Sequence, residues 1–136
     1  MVARALLITV LCSTTLAAQT LNHRLTPGAV RPLSKMQICA TKWGLDRRHV
    51  TPAKRAQVIA AYGSPTVVAR GKGPCCEVDH LVPRELGGAD TVANLWPQSW
   101  ALATLKDTEE NAWHRDVCAG RIGLAVAQRH FKSWGK

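Results

Sequence analysis

Three residues close together in the sequence have the side chains that phosphate-ester hydrolysis requires. Asp79 and His80 are adjacent within residues 77–83, which read Glu-Val-Asp-His-Leu-Val-Pro, and Asn94 follows after a glycine pair at 87–88. A carboxylate can bind a metal ion, a neutral imidazole can take a proton from water, and an amide can hold the base in place. The pattern therefore predicts one part of a metal-dependent phosphodiesterase site.

A short antiparallel hairpin is predicted to position these side chains. Residues 76–82 and 93–96 have strand character and flank a glycine-containing loop. Adjacent side chains of a regular strand point to opposite faces, so Asp79 and His80 can serve one site only where the strand ends or bulges. Pro83 cannot donate a hydrogen bond to a sheet and favours such an ending. The alternative is a strand end with an ordinary ion pair or a hydrogen-bonded histidine.

A helix over residues 100–118 is predicted to complete the site. Glu110 and His114 are four residues apart and therefore neighbours on its surface, whereas Asn111 points more nearly away. If this flank packs on the hairpin, Glu110 and His114 approach the Asp-His pair; the alternative is an exposed polar face. The predicted apolar stripe of the same helix comprises Leu102, Leu105, Glu109, Ala112, Trp113 and Val117.

The hairpin and the helix together resemble the HNH family of endonucleases, over residues 77–118. The core of that family is a two-stranded hairpin followed by a helix around one divalent metal ion, called the ββα-metal fold. The resemblance implies an α+β fold class, a small and mostly helical domain with a ββα-metal (HNH) hairpin-helix core. The matching features, which also resemble a subgroup of exported HNH proteins, are Asp79-His80 with Pro83, Gly87-Gly88, Asn94-Leu95-Trp96-Pro97-Gln98, Lys106-Asp107, Glu110 and Val117-Cys118-Ala119-Gly120.

The resemblance implies a role for each hairpin residue. His80 would be the general base, which agrees with a histidine pKa near ~6.5 that leaves the ring largely neutral at pH 7 or above. Asp79 would bind one divalent ion through a hard oxygen, with Mg²⁺ or Mn²⁺ preferred and Zn²⁺ or Ni²⁺ as alternatives. Asn94 would tie the loop together and orient His80; the alternative is an asparagine bonded to its own backbone in a turn.

The helix ligand departs from the usual family pattern. Many members place a final His or Asn shortly after the central asparagine, where this chain has Ala103. We therefore predict His114 as the first choice of metal ligand. Glu110 is the second choice, either as ligand or as the group that orients His114, and Asn111 is the third.

The charge of the chain favours a polyanionic partner. Its formal net charge is +9, which indicates nucleic acid, DNA first, or an anionic membrane surface, unless the charge only aids solubility. Arg84 and Lys106 are predicted to hold neighbouring phosphates or, alternatively, to be solvated surface charges. Trp96, Trp100 and Trp113 could stack on bases or pack the core.

Residues 1–18 have the pattern of a secretory signal peptide, because one basic residue precedes an apolar run and then small residues. Cleavage near Ala17 or Ala18 would give an exported chain, periplasmic or secreted. A lipoprotein anchored through Cys12 is the alternative. The sequence shows no second apolar run long enough to span a bilayer, so we expect no stable membrane association.

The remainder of the chain is predicted to form one domain. Residues 19–35 mix proline, glycine and polar residues and are predicted to be a flexible leader. Residues 36–136 are predicted to be a single nuclease domain with its core at 75–118. Further helices are predicted over 52–62 and 124–134.

The cysteines predict two disulfides. Export would leave Cys39, Cys75, Cys76 and Cys118 in an oxidising compartment. A bond between adjacent Cys75 and Cys76 would force a strained ring, so we predict longer bridges in which Cys39 and Cys118 each take one of the pair. A four-cysteine zinc site is the alternative, but adjacent cysteines lack the ligand spacing of such sites.

The sequence thus favours an exported, metal-dependent endonuclease that hydrolyses phosphodiester bonds in DNA, or alternatively RNA. Little sequence specificity is expected, because the chain shows no recognition helix, zinc finger or second domain and contacts to phosphates carry no base information. The alternative function is a non-catalytic basic module that binds nucleic acid or another anionic polymer. A zinc-held structural domain is the third interpretation.

Overall fold

The computed structural model describes residues 20–73 and 75–136 of the chain, so the predicted signal peptide at residues 1–18 lies outside the described residues. The described chain forms a small α+β domain, as the sequence predicts. The helices and strands, in order, are α1 (Lys35–Ala40), α2 (Pro52–Ala61), β1 (Cys75–His80), β2 (Leu95–Ser99), α3 (Trp100–Cys118) and α4 (Leu124–Lys132).

β1 and β2 form the predicted antiparallel pair. Asp79 lies opposite Trp96 and His80 lies opposite Leu95. β1 ends at His80, three residues before Pro83, so Asp79 and His80 occupy the last two positions of the strand. At such an end the side chains of adjacent residues can reach one common cavity, because the strand no longer has to continue its regular alternation.

The loop between the strands folds back so closely that one position accepts only glycine. A Cβ atom on Gly88 would lie 1.8 Å from the Val82 carbonyl oxygen and 2.8 Å from Asn94 Nδ2. The Gly88 amide donates to the Pro83 carbonyl oxygen at 2.8 Å, which closes the turn. This turn fixes the residues that follow β1 against those that precede β2.

α3 begins and ends where the sequence predicts, but a different face of it is buried. Leu102 and Leu105, both placed on the predicted apolar stripe, are 36% and 63% exposed. That stripe is therefore wrong over the first half of the helix, because oxygen acceptors on β1 and within α3 itself hold a lysine inward instead. The buried residues of α3 are Ala103, Lys106 and Val117.

Two apolar clusters hold β1 and its loop between the helices. α2 begins at Pro52 after the capping residue Thr51, and α4 begins at Leu124, as predicted. The cluster between the loop, α3 and α4 consists of Val82, Leu86, Val117, Ala127 and Phe131, and the cluster between α2 and the sheet consists of Val58, Val78 and Leu95.

None of the described helices combines the length and the apolar character needed to cross a membrane.

Residues 20–34, which fall in the predicted flexible leader, pack on the loop between the strands. Gly28 and Ala29 donate backbone hydrogen bonds to the Ala93 carbonyl oxygen. The buried Thr26 hydroxyl donates to the Leu95 carbonyl oxygen at 2.9 Å. This part of the chain therefore supports the sheet rather than standing apart from the domain.

The disulfide pairing differs from the predicted one. Cys39 is bonded to Cys118 with their Cα atoms 5.6 Å apart, and Cys75 is bonded to its neighbour Cys76. The predicted pairing is wrong because α1 was not foreseen: this helix packs on α3 and brings Cys39 against Cys118. The long bridge closes a sequence separation of 79 residues, which stabilises the fold by about 4.5 kcal/mol in the chain-entropy account.

Candidate active site

A cavity of ≈ 430 Å³ lies beside the end of β1. Three parts of the chain meet around it: the end of β1 with the loop that follows, the connection between α1 and α2, and α3. The predicted site residues from β1, the loop and α3 meet here with residues that the sequence did not suggest. The lining includes Trp43, Asp46, Arg48, Asp79, His80, Arg84 and Glu110.

His80 is buried and fixed by a carboxylate from the loop. Its Nε2 atom lies 2.7 Å from Asp90 Oδ1. Asp90 also accepts the His49 backbone amide at 2.7 Å. Burial raises the pKa of Asp90, but the hydrogen bonds from His49 and His80 outweigh it and hold the pKa below its usual range. Asp90 is therefore an anionic acceptor, which assigns the imidazole proton to Nε2.

The other ring nitrogen of His80 is left with its lone pair. Nδ1 is buried and has no hydrogen-bond partner among the described residues. Burial lowers the pKa of His80 to about 4, although the hydrogen bond to Asp90 opposes this shift. The ring is accordingly neutral at pH 7, with Nδ1 able to accept a proton.

Asn94 fastens the two ends of the loop. Its Oδ1 accepts the Val82 amide at 2.9 Å, and its Nδ2 donates to the carbonyl oxygens of Val82 and Ala89 at 2.9 and 3.1 Å. The side chain is fully buried. One of these contacts is to the backbone of Ala89, the residue before Asp90. Asn94 therefore affects His80 indirectly, by fixing the position of Asp90.

A buried lysine joins the predicted metal ligands. Lys106 has no solvent exposure, and its Nζ donates to Asp79 Oδ2 at 3.0 Å and to the His80 carbonyl oxygen at 2.6 Å. It also donates to Glu110 Oε1. Burial lowers the pKa of Lys106, but the two carboxylates outweigh it and raise the pKa above its usual range. The side chain is thus a buried ammonium. We call this ammonium and its three oxygen acceptors together the Lys106 cage.

Two carboxyl groups of this region, those of Glu110 and Glu77, have raised pKa values. Burial raises the pKa of Glu110, and the charge of Asp79 adds to this effect while Lys106 opposes it. Burial also raises the pKa of Glu77, which lies two residues before Asp79 on β1. Lys106 thus opposes the raised pKa of Glu110, whereas Arg48 and Arg70 oppose that of Glu77.

Arg84 links the loop after β1 to the connection between α1 and α2. Its guanidinium pairs with Asp46, and its Nε lies 3.2 Å from Asp90 Oδ1. It also donates to the Arg47 carbonyl oxygen at 2.9 Å. The side chain is largely buried, at 12% exposure, so it is not the solvated surface charge of the alternative prediction, and phosphate binding by Arg84 stays a prediction.

Arg48 is the more exposed of the two arginines that line the cavity. It is exposed and lines the cavity, and none of the ion pairs found among the described residues involves it. Its charge nevertheless reaches the site, because it lowers the pKa of His80, after burial, and opposes the raised pKa of Glu77. Arg48 is thus an exposed positive side chain at the edge of the cavity.

Two of the predicted helix ligands lie elsewhere. His114 does not line the cavity; its Nε2 lies 3.5 Å from Cys118 Sγ. Asn111 is exposed, and its amide donates to the Asp107 carbonyl oxygen. The rotation of α3 that buries Lys106 brings Glu110 to the cavity and turns His114 toward the Cys39 disulfide.

The sulfur atoms near His114 do not form a free metal-binding group. One ligand atom from each of Cys39, His114 and Cys118 lies within 4.8 Å of the others. The two cysteines are bonded to each other, however, and zinc binds thiolates rather than a disulfide. The disulfide and a metal ion at this position are therefore alternatives.

The Lys106 cage has the donor set of a hard divalent cation. Two carboxylates and one carbonyl oxygen are the ligand types that Mg²⁺ and Mn²⁺ prefer. It is the ligand types that match those of a divalent cation, because Asp79, Glu110 and the His80 carbonyl oxygen each accept a hydrogen bond from Lys106.

The three tryptophans that could stack on bases all take part in packing. Trp96 is 2% exposed. Trp100 donates through Nε1 to the Val68 carbonyl oxygen. Trp113 stacks on His130 with ring centroids 4.1 Å apart. Trp100 and Trp113 retain partial exposure, so any base contact would involve these two rather than Trp96.

Sequence reasoning missed Asp90, Asp46 and Arg48. Asp90 lies in the loop between the glycine pair and Asn94, so its place in a tightly tied turn was the one signal that could have drawn attention to it. Asp46 and Arg48 lie in an irregular segment without periodicity. Their role follows only from the contact between that segment and the loop.

Comparison of the chain with family models, curated proteins and solved structures gave no match in any of the three. The functional assignment accordingly rests on the residues and distances given above.

Proposed function

We propose that the chain is an exported HNH-type endonuclease that hydrolyses phosphodiester bonds in DNA, with RNA as the second substrate class, in a reaction that depends on one divalent metal ion. The observation that carries this proposal is the state of His80: its Nε2 lies 2.7 Å from the Asp90 carboxylate, its buried Nδ1 has no hydrogen-bond partner among the described residues, and the residue lines a cavity of ≈ 430 Å³. A neutral histidine backed by a carboxylate is the arrangement of a general base.

In this proposal His80 activates the attacking water. The water oxygen forms a bond to phosphorus while its proton passes to Nδ1, and the bond from phosphorus to the leaving oxygen breaks, with that oxygen taking a proton from solvent. The ring becomes an imidazolium. The anionic Asp90 stabilises this charge and keeps the ring from turning away from the phosphate.

Asp79 and Glu110 are the residues that would hold the metal ion, with the His80 carbonyl oxygen as a third donor. Such an ion would supply positive charge to stabilise the phosphate and its leaving oxygen. Mg²⁺ or Mn²⁺ suits these oxygen donors best, with Zn²⁺ or Ni²⁺ as alternatives. Because His80 and Asp79 are adjacent, the base and the metal would approach the phosphate from neighbouring positions.

Substrate binding in this proposal is mainly electrostatic. Arg48 lines the cavity and is available to a phosphate oxygen, and the chain as a whole carries a net charge of +9. Binding through phosphates is insensitive to base sequence and weakens as salt increases. The two disulfides agree with the proposed export, periplasmic or secreted, because such bonds persist in oxidising compartments.

The test is cleavage of supercoiled plasmid by the purified chain with Mg²⁺ or Mn²⁺, with and without chelator. We expect nicking that the chelator abolishes and that His80→Ala lowers to background. His23→Ala is the matched control, since this histidine lies in the segment before α1 and does not line the cavity. DNA binding without cleavage under every divalent ion tested would refute the enzyme and support the non-catalytic basic module instead.

A further inference from the structure

We propose that Lys106 is a resident cation of this site and competes with the divalent metal ion for the same three oxygens. The inference rests on the proposed function, since it concerns the metal that function requires. It goes further by assigning to Lys106 a role in metal affinity, in place of the phosphate-binding role that the sequence suggested.

The contacts of Lys106 are those of a bound cation rather than of a surface lysine. An ammonium group has three N–H donors, and each finds one oxygen here: Asp79 Oδ2, the His80 carbonyl oxygen and Glu110 Oε1. The side chain has no solvent exposure. Two of the acceptors are carboxylates, so the nitrogen lies between two negatively charged groups that line the cavity.

A divalent ion and this ammonium cannot share that point. Metal–oxygen distances of about 2.0–2.6 Å would place the ion at nearly the same centre as Nζ, within strong repulsion of a second positive charge. Binding of the metal therefore requires the ammonium to leave. The four-carbon lysine stem can swing without movement of α3, which makes such an exchange feasible.

The exchange lowers the apparent affinity for metal. Two buried carboxylates without a cation are strongly unfavourable, and Lys106 relieves this in the metal-free protein. Removal of the ammonium leaves the same oxygens with only the metal to neutralise them. Lys106→Met, which keeps an unbranched apolar stem, is thus expected to bind Mn²⁺ at least about tenfold more tightly than the wild-type chain.

Calorimetric titration of the chelator-stripped chain with Mn²⁺ measures this directly. Lys54→Met is the matched control: Lys54 donates to the backbone oxygens of His49 and Asp90 but to neither carboxylate of the cage. Its affinity for Mn²⁺ should stay within about twofold of wild type. In the double variant Lys106→Met with Glu110→Gln the gain should be lost, because one carboxylate ligand is gone.

A second measurement uses the wild-type chain and so does not depend on how the variants fold. Acylation of lysine amines, followed by mass spectrometry, should leave Lys106 unmodified without metal and label it at saturating Mn²⁺. Labelling of Lys54 should not change. Equal Mn²⁺ affinity in Lys106→Met and wild type, or a Lys106 that stays protected when Mn²⁺ is bound, would overturn the inference.

The outcomes separate this inference from the proposed function. A wild-type chain that cleaves DNA with Mn²⁺ but shows neither the affinity change nor the labelling removes the competition and leaves the nuclease. A chain that never cleaves, yet gains Mn²⁺ affinity on loss of Lys106, removes the nuclease and leaves the competition.

Discussion

Replacement of Asp90 by asparagine should remove most of the activity while preserving the fold. The reaction converts a neutral His80 into an imidazolium whose Nε2 lies 2.7 Å from the Asp90 carboxylate, itself only 13% exposed. A charge-assisted hydrogen bond in such surroundings is about twice as strong as a neutral one. The asparagine amide can also turn its NH₂ toward Nε2, which would move the ring proton to Nδ1 and block the base.

These two effects together should lower kcat by about two to three orders of magnitude, or about 3–4 kcal/mol of transition-state stabilisation. KM should change little, because Asp90 faces His80 rather than the substrate. The pKa of His80, already lowered to about 4 by burial, should fall further, since Asp90 is the hydrogen-bond partner that opposes that shift. The acid limb of the pH–rate profile should therefore move to lower pH while the plateau drops.

The assay is the initial rate of plasmid nicking across a pH series, with the thermal midpoint measured for each variant. Asp46→Asn is the control, because Asp46 pairs with the other side of Arg84 and makes no contact with His80. It should lower kcat by no more than about threefold. An Asp90→Asn variant that keeps its midpoint and stays within about threefold of wild type would refute the assignment of the base.

Three further predictions concern stability and binding. In chelator, the contribution of His80 to the free energy of unfolding should fall by about 3 kcal/mol from pH 7 to pH 4, because the unfolded chain protonates His80 near pKa 6.5 and the folded chain only near 4. The raised pKa of Glu110 acts in the opposite direction, so the contribution of His80 is measured as the difference between wild type and His80→Gln in urea titrations at the two pH values. An equal pH dependence in the two chains would contradict the cause. Asn94→Ala should lower the free energy of unfolding by about 2–4 kcal/mol in urea titrations, since it leaves buried groups of Val82 and Ala89 without partners. A loss below about 1 kcal/mol would mean that the loop keeps its structure without the amide. Arg48→Ala should lower the magnitude of the slope of log DNA affinity against log salt concentration by about one, with kcat nearly unchanged. Fluorescence anisotropy measures this slope, and a slope identical to that of wild type would mean that Arg48 does not contact DNA.

The elements with local sequence signals were the predictable part of this fold. The bounds of α3, the start of α2 after Thr51 and the start of α4 all follow from capping residues, prolines and glycines that act within a few positions. α1 carries such a signal as well: the Ser34 side chain and the Gln37 side chain form a capping box. The capping box indicates α1 but not its packing on α3, and the pairing of Cys39 with Cys118 depends on that packing.

The interior of the site was less predictable because it depends on charges that meet only after folding. A helical wheel ranks positions by hydrophobicity and so turns Lys106 outward, whereas the folded chain turns it inward to reach Asp79 and Glu110. Asp90 has the same character: its sequence context indicates a turn, and its contact with His80 arises from the way Asn94 closes the loop.

The end of β1 explains how one dipeptide can serve two separate parts of the proposed chemistry. Neighbouring side chains of a strand point in opposite directions. Asp79 accordingly reaches Lys106 on α3, while His80 reaches Asp90 in the loop. Both still line one cavity, because the strand ends immediately after them. The proposed base, His80, has its own carboxylate in Asp90, and the proposed metal ligand Asp79 has its own cation in Lys106. The two carboxylates therefore do not compete for one partner, although His80 and Asp79 are adjacent.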